Sequence, residues 1–315
     1  MKLSFIISVL DEENTIISLY EDIVKNIYNN NYEIIFIDDG STDSSFTKMK
    51  QLKQRDKRIK LIKFKRNYGK SIAIDTGFKV CDGDIVFTLD ADGQDNPKEI
   101  SRFIKKIKEG YDVVSGWKKK RNDPISKRWP SKIFNFAVSK LFKMKLHDYN
   151  CGFKAYKKEV VKNIVLYGEL HRYIPVLAKN SGYRVGEIVV EHRKREFGKS
   201  KYGKERYLRG FFDFLTIRLI TKYSKSPIYF FGSLGVWTLF FGFLINIYMV
   251  IEKYILGNPI SNRPILFLGV LLSVIGIQFI SIGLVGELII YLNHKKCGDI
   301  NFEIIEEKEE KCNSQ

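Results

Sequence analysis

Two apolar runs near the C-terminus set the first limit on how this chain of 315 residues can fold. Ile228 to Ile251 is a stretch of 24 residues with no charge, and Ile265 to Leu292 is a stretch of 28 in which Glu287 is the only charge. Roughly 20 helical residues cross a bilayer core, so both runs are long enough to span one. The short turn EKYILGNPISNRP between them makes the pair a hairpin with both ends on one side. Arg218, Lys222, Lys225, Lys295 and Lys296 flank the outer ends, against Lys253 and Arg263 in the turn. That bias puts the ends in the cytoplasm. The competing reading is a buried helical hairpin in a soluble domain.

Ahead of Pro227 the pattern is different. Leu3 to Leu10, Glu33 to Ile37, Ile59 to Phe64, Ile85 to Leu89 and Val113 to Ser115 are strand candidates that alternate with helical segments. This predicts an α/β domain with a mainly parallel sheet and helices on both faces. The early run LSFIISVL is short and flows directly into DEEN, so no signal peptide is expected.

Two of these strands end in paired aspartates. IFIDDGSTD (Ile35 to Asp43) carries Asp38 and Asp39, and VFTLDADGQD (Val86 to Asp95) carries Asp90 and Asp92. The ends of parallel strands are where open α/β sheets bind ligands. On an extended backbone Asp90 and Asp92, two apart, face the same way and can share one hard divalent cation, which keeps other positions free for phosphates. Taken singly, Asp-Gly-Ser after a strand is also an ordinary tight turn.

The net charge is +17, and it resides in two segments. Trp117 to Leu146 holds ten basic residues and one acid, and His192 to Lys225 holds eleven and three. Both interleave cations with apolar residues, as in SKIFNFAVSKLFKMK and RYLRGFFDFLTIRLITKY. These spacings suit amphipathic helices on an anionic membrane surface; solvated helix faces are the alternative. Cations that flank membrane spans argue against nucleic acid as the partner. Cys81, Cys151, Cys297 and Cys312 have no metal-ligand spacing and are expected as free thiols, and the four histidines suggest no zinc site.

Between the aspartate pairs lies NYGKSIAIDTG (Asn67 to Gly77). The three blocks in this order resemble the nucleotide-sugar-binding half of a family 2 glycosyltransferase of the GT-A (Rossmann-like) fold, over roughly the first 225 residues. GWKKKRNDPISKRWPS (Gly116 to Ser131), DYNCGFKAYKKEVV (Asp148 to Val161), HRYIP (His171 to Pro175) and HRKREFGKSKYG (His192 to Gly203) narrow the likeness. They resemble polyprenyl-phosphate glycosyltransferases, similar to dolichol-phosphate mannose synthases with two C-terminal membrane helices. The organisation this implies is a catalytic domain over 1–203, with a basic juxtamembrane segment at 117–146. An amphipathic juxtamembrane helix over 204–226, a hairpin over 227–293 (228–251 and 265–292) and a cytoplasmic acidic tail over 294–315 follow.

The resemblance implies inverting transfer of one sugar from a UDP- or GDP-linked donor to undecaprenyl or dolichyl phosphate at the cytoplasmic membrane face. Carried over residue by residue, it puts Glu12, Asp38, Asp39, Asn67, Lys70 and Asp90 at the nucleotide sugar, with Arg193, Arg195, Ser200 and Lys201 closing over the phosphates. Asp90, Asp92 and Gln94 would hold Mg2+ or Mn2+, and Lys118, Arg121, Arg128 and Ser131 would meet the acceptor phosphate. Asp92, Arg128 and Asp148 are the catalytic candidates, Asp148 as a base or orienting group, with a simple helix-entry aspartate as its alternative. Ser8 and Asp11 replace the usual Pro and Asn, and Lys118 and Lys154 stand where Arg is common. Membrane lipids are implied partners, and a homo-oligomer is left open. The rivals are a membrane glycosyltransferase with another lipid or polysaccharide acceptor, and a membrane-anchored pseudoenzyme. The first lacks its usual Gln-x-x-Arg-Trp signature here, and the second would be expected to lose the metal ligands.

Overall fold

The computed structural model describes residues 1–27, 31–119, 135, 138–142, 144–193, 216–223, 226–259 and 263–296. The chain divides into two compact units, Met1–Ile217 and Arg218–Gln315. The first is built on a seven-stranded sheet: β1 (Leu3–Val9), β2 (Tyr32–Asp38), β3 (Ile59–Lys63), β4 (Ile85–Asp90), β5 (Val113–Trp117), β6 (Lys154–Lys157) and β7 (Val185–Val189). Their order is β3-β2-β1-β4-β6-β5-β7. All pairs are parallel except those made by β6, which runs against both β4 and β5.

All five strand candidates form, each within a residue or two of the expected limits. Strands buried on both faces read as unbroken apolar runs, and every residue of β2 is buried. The helices that cover the sheet are α1 (Ile16–Lys25), α2 (Ser45–Arg55), α3 (Lys70–Val80), α4 (Ile100–Lys108), α5 (Lys158–Asn163) and α6 (Ile174–Asn180), the last preceded by a 3-10 turn at Leu170–Tyr173. Phe5 stacks on Phe87 with ring centroids 5.1 Å apart, and Phe103 meets Phe153 at 4.4 Å beneath α4. This aromatic layer is the centre of the core.

The register decides where the polar strand ends meet. Ser8 pairs with both Ile37 and Asp90, and Val9 pairs with Asp38. β1 therefore carries the aspartates of its two neighbours at one edge of the sheet. The strand order reverses direction at β1, which opens a crevice there.

The second unit contains α7 (Ile228–Tyr254) and α8 (Pro264–Lys296). Each offers a stretch of 27 residues apolar enough to cross a membrane. Their backbones touch through glycine: a Cβ on Gly235 would lie 2.7 Å from the Gly276 carbonyl, and one on Gly276 2.7 Å from the Leu239 amide. Small residues are what allow membrane helices to approach this closely. The charged and polar basic segments at 117–146 and 204–226 lie largely outside the described residues.

Gly276→Leu is expected to push the two helices apart and cost about 1–3 kcal/mol, the usual range for overpacking. Gly232→Leu, whose new Cβ would meet only the flexible end of Ile228 at 3.3 Å, serves as the control. Thermal unfolding in detergent checks this, and equal stability of the two variants would refute the glycine contact.

Candidate active site

Asp38 and Asp39 leave β2 pointing into the domain. Asp38 is fully buried and accepts from the Ser41 amide at 3.0 Å. Asp39 accepts from the Tyr68 amide at 2.7 Å and the Gly69 amide at 3.0 Å, and so ties the loop before α3 to the end of β2. Burial raises the Asp39 pKa; the two amides oppose this and the Asp38 charge adds to it. Asn67 is exposed at the rim of the same loop. Glu12 sits opposite, its amide donating to Ser45 Oγ at 2.8 Å. Asp11, which replaces the usual Asn, has φ 44° and accepts from the Thr42 amide at 2.7 Å. Side-chain bonding of this kind is what lets an aspartate hold a left-handed backbone.

Asp90, at the end of β4, is bonded by the ammonium of Lys70 from the first turn of α3. Gly152 lies directly against this carboxylate, and a Cβ there would come within 2.4 Å of its Cγ. Burial works to raise the Asp90 pKa, but Lys70, Lys118 and Lys154 more than reverse it and hold the group ionised. Asp92 is in the opposite condition. Burial and the charges of Asp90 and Asp95 push it up to about 6, against the Gln94 amide, which donates to its Oδ1 at 3.1 Å.

Asp95 was not among the expected site residues, yet it closes the turn. Its Oδ2 accepts from the Asp90 amide at 3.2 Å, and its Oδ1 lies 2.9 Å from Lys118 Nζ. The Asp95 side chain has no exposure and that of Lys118 only 10%. Lys118, expected at the acceptor phosphate, is thus a buried counter-ion under the aspartate turn. Lys154 is buried beside it and donates to the Cys151 carbonyl. Burial lowers the Lys154 pKa, and the Lys70 charge adds to that. A lysine inside the apolar stretch CGFKAY was the sequence signal for this group.

Asp148 is buried and accepts from the Asn150 amide at 3.0 Å, while its own amide donates to Glu187 at 3.1 Å. It shapes the loop that delivers Gly152 to Asp90. Gln94 donates its side-chain amide to the Arg193 carbonyl at 3.4 Å. The Arg193 guanidinium bonds Asp22 at 2.5 Å and Asn96 at 2.8 Å. It therefore anchors the chain to α1 and the aspartate turn. Arg121, Arg128, Ser131, Arg195, Ser200 and Lys201 lie outside the described residues.

The structure thus gathers Lys70, Asp90, Asp92, Gln94, Asp95, Lys118 and Lys154 at the strand ends, with Asp38, Asp39 and Glu12 across the crevice. Among the described residues no three His, Cys, Asp or Glu side chains converge as a ready metal site. The anionic surroundings of Asp92 nevertheless suit a divalent cation held by few protein oxygens and completed by the oxygens of a ligand.

Residues 4–165 match the family Glycosyl transferase family 2. The chain belongs to this family. A dodecaprenyl-phosphate galacturonate synthase of Rhizobium johnstonii is 33% identical over 296 residues, covering 92% of this chain and 88% of that protein. An undecaprenyl-phosphate 4-deoxy-4-formamido-L-arabinose transferase of Pseudomonas savastanoi is 36% identical over 261 residues, covering 82% and 76%. Among solved structures, glucosyl-3-phosphoglycerate synthase from Mycobacterium tuberculosis, crystallised with Mn2+, UDP and phosphoglyceric acid, superimposes with a TM-score of 0.54 at 16% identity. That match covers 69% of this chain and 77% of the other, and it establishes the GT-A fold.

Because Asp95 is sealed from solvent and the Lys118 side chain is only 10% exposed, Lys118→Met should leave a buried carboxylate without its counter-ion and cost about 3–5 kcal/mol. Adding Asp95→Asn should restore part of the loss. Thermal unfolding of the single and double variants in detergent checks the pair, and identical losses would show that the ion pair contributes nothing.

Proposed function

We propose that this chain transfers a single sugar from a UDP- or GDP-linked donor to a polyprenyl phosphate, with inversion, at the cytoplasmic face of a membrane. The observation that carries this reading is the extent of the likeness to the galacturonate synthase. At 92% of the chain it takes in the sheet domain together with the apolar hairpin, and the relative's name specifies a polyprenyl-phosphate product. The second relative, also named for a polyprenyl phosphate, carries a different sugar.

The chemistry follows from the groups available. A phosphomonoester has a second pKa of about 6 and is mostly dianionic near neutral pH, so the acceptor is already a nucleophile and needs little help from a base. Asp148, engaged with the Asn150 amide, suits an orienting role for its loop. Asp92, with Asp90 and Gln94 beside it, would hold Mg2+ or Mn2+, which supplies charge neutralisation of the leaving diphosphate. Lys70 brings an ammonium to the same edge and would help hold the diphosphate in line for attack. Arg121, Arg128 and Ser131 would receive the acceptor phosphate, with Lys118 supporting the carboxylates from below. Arg195, Ser200 and Lys201 would close over the donor phosphates, beyond the Arg193 anchor.

The reading is tested with the purified full chain in lipid vesicles, offered radiolabelled nucleotide sugars together with undecaprenyl phosphate. One labelled lipid-linked sugar is expected, and no product with any donor would overturn the proposal. Removal of the chain after Ser226 should leave nucleotide binding intact and lower transfer to long-chain lipid phosphate far more than transfer to a short, water-soluble prenyl phosphate. Equal rates on vesicles for the full and shortened chains would refute tethering.

The state of Asp92 gives a pH test. Its folded pKa is raised to about 6, so the folded protein holds this proton more tightly than the unfolded chain does. Without metal, this group's contribution to stability falls as pH rises from the ordinary carboxylate range through about 6. A cation needs the ionised form. Mn2+ affinity, read by paramagnetic resonance, should therefore climb through that window and level off above it, and Asp92→Asn should abolish both trends. A pH-independent affinity would show that Asp92 is not the ligand.

A further inference from the structure

The motif HRYIP has no part in the reaction derived so far, yet its histidine is held in a defined state beside the site. Ser71, completely buried in the first turn of α3, follows Lys70 directly. Its Oγ accepts the backbone amide of His171 at 3.1 Å and lies 2.9 Å from His171 Nδ1. A hydroxyl that accepts the amide still has its own proton to give. Donation from Oγ to Nδ1 satisfies both contacts and leaves the ring's proton on Nε2. The opposite tautomer would leave the hydroxyl proton without an acceptor among the described residues.

Burial keeps the ring neutral by lowering its pKa well below the usual imidazole value; the charges of Lys70, Arg172 and Lys154 act in the same direction and only Asp90 opposes them. Of the charged groups packed around it, Glu169 is 3.9 Å from Nδ1 but is taken up by Arg172 at 2.9 Å. Nε2 has no partner among the described residues, and the His171 side chain keeps 10% exposure. It is an oriented N–H donor on a nearly buried ring, within electrostatic range of Lys70, Lys154 and Asp90.

We propose that His171 is a donor-sugar recognition residue, its Nε2–H, fixed by Ser71, donating to an oxygen substituent of the sugar ring on the nucleotide donor. This rests on the reading of the chain as a nucleotide-sugar transferase. The chemistry at Nε2 is donor only, so it selects a sugar that presents an acceptor there, a hydroxyl or a carboxylate. A donor that lacks the substituent would strand the N–H, which is how polar sites discriminate most strongly. The surrounding lysines add to this preference, since they favour an electron-rich group over a second donor.

The test compares UDP-galacturonic acid, UDP-glucose and GDP-mannose with bare UDP or GDP, by calorimetry on the full chain in detergent. For whichever donor binds wild type more tightly than its bare nucleotide, His171→Phe should remove about tenfold of that gain, the value of roughly one hydrogen bond. Affinity for the bare nucleotide should stay within about twofold, and so should the Michaelis constant for polyprenyl phosphate. His171→Gln, which keeps an N–H, should recover most of the gain, and Ser71→Ala should lose part of it. Equal loss of bare nucleotide binding would mark His171 as structural, a rise confined to the lipid Michaelis constant would place it at the acceptor, and either overturns the proposal. Should His171→Phe fail to fold, the 15N resonance of His171 Nε2 in the wild type decides. It should shift with nucleotide sugar and not with bare nucleotide, and no difference refutes the contact. A wild type that shows this shift but glycosylates no polyprenyl phosphate would overturn the acceptor assignment alone.

Discussion

Everything at the active edge depends on how buried and half-buried charges are balanced at the ends of β4, β5 and β6. Two pairs close on themselves: Asp90 with Lys70, and Asp95 with Lys118. Two further charges stand in a different condition. Asp92 is pushed up to about 6 and Lys154 is pushed down, so the site disfavours the ionised form of each. Burial is the first cause in both cases, and each also faces like charges, Asp90 and Asp95 for the acid and Lys70 for the base. On the proposed reading, a cation beside Asp92 and a diphosphate near the lysines would relieve both at once. Binding would then draw on a mismatch already present in the fold, as expected of groups preorganised for a charged ligand.

The sheet explains why these six side chains meet. Parallel strands put their C-terminal ends along one edge, so Asp38 and Asp90 fall on either side of β1 without any sequence contact between them. The antiparallel β6 enters from the opposite direction, pairing Lys154 with Thr88 and with Ser115. A single reversed strand thereby carries a cation under an acidic edge. Gly152, just before it, has no side chain, which is what permits the Asp90 carboxylate to rest on the backbone. Ser71 and His171 then brace the first turn of α3, from which Lys70 reaches Asp90.

How much of this could be read from the sequence follows from the range of the forces involved. β1 to β5 were legible because strands buried on both faces form continuous apolar runs. β6 and β7 were not: KAYK starts and ends in lysine, and VGEIV is a half-buried edge strand with a glutamate at its centre. Asp90 and Asp92 stood out through local spacing alone. The Lys118 to Asp95 pair did not, since a lysine in a basic run gives no sign that its ammonium will be sealed under a turn 23 residues earlier. The anchoring of Arg193 was not legible for the same reason, as its partners Asp22 and Asn96 are brought to it only by the packing of α1 and the turn after β4.

The exchange of Arg for Lys at 118 and 154 also takes on physical sense. A guanidinium is a wide, planar fork suited to a phosphate at an open site, whereas an ammonium is a compact point charge that one carboxylate or carbonyl can engage. Lys118 uses one oxygen of Asp95, and Lys154 uses the Cys151 carbonyl. Each engages a single oxygen, as a point charge can, where a fork would bring further N–H groups that need acceptors. The two lysines thus belong to the foundation of the acidic turn. On the proposed reading, phosphate recognition would then fall to Arg121 and Arg128, and His171 would offer its N–H to the donor sugar.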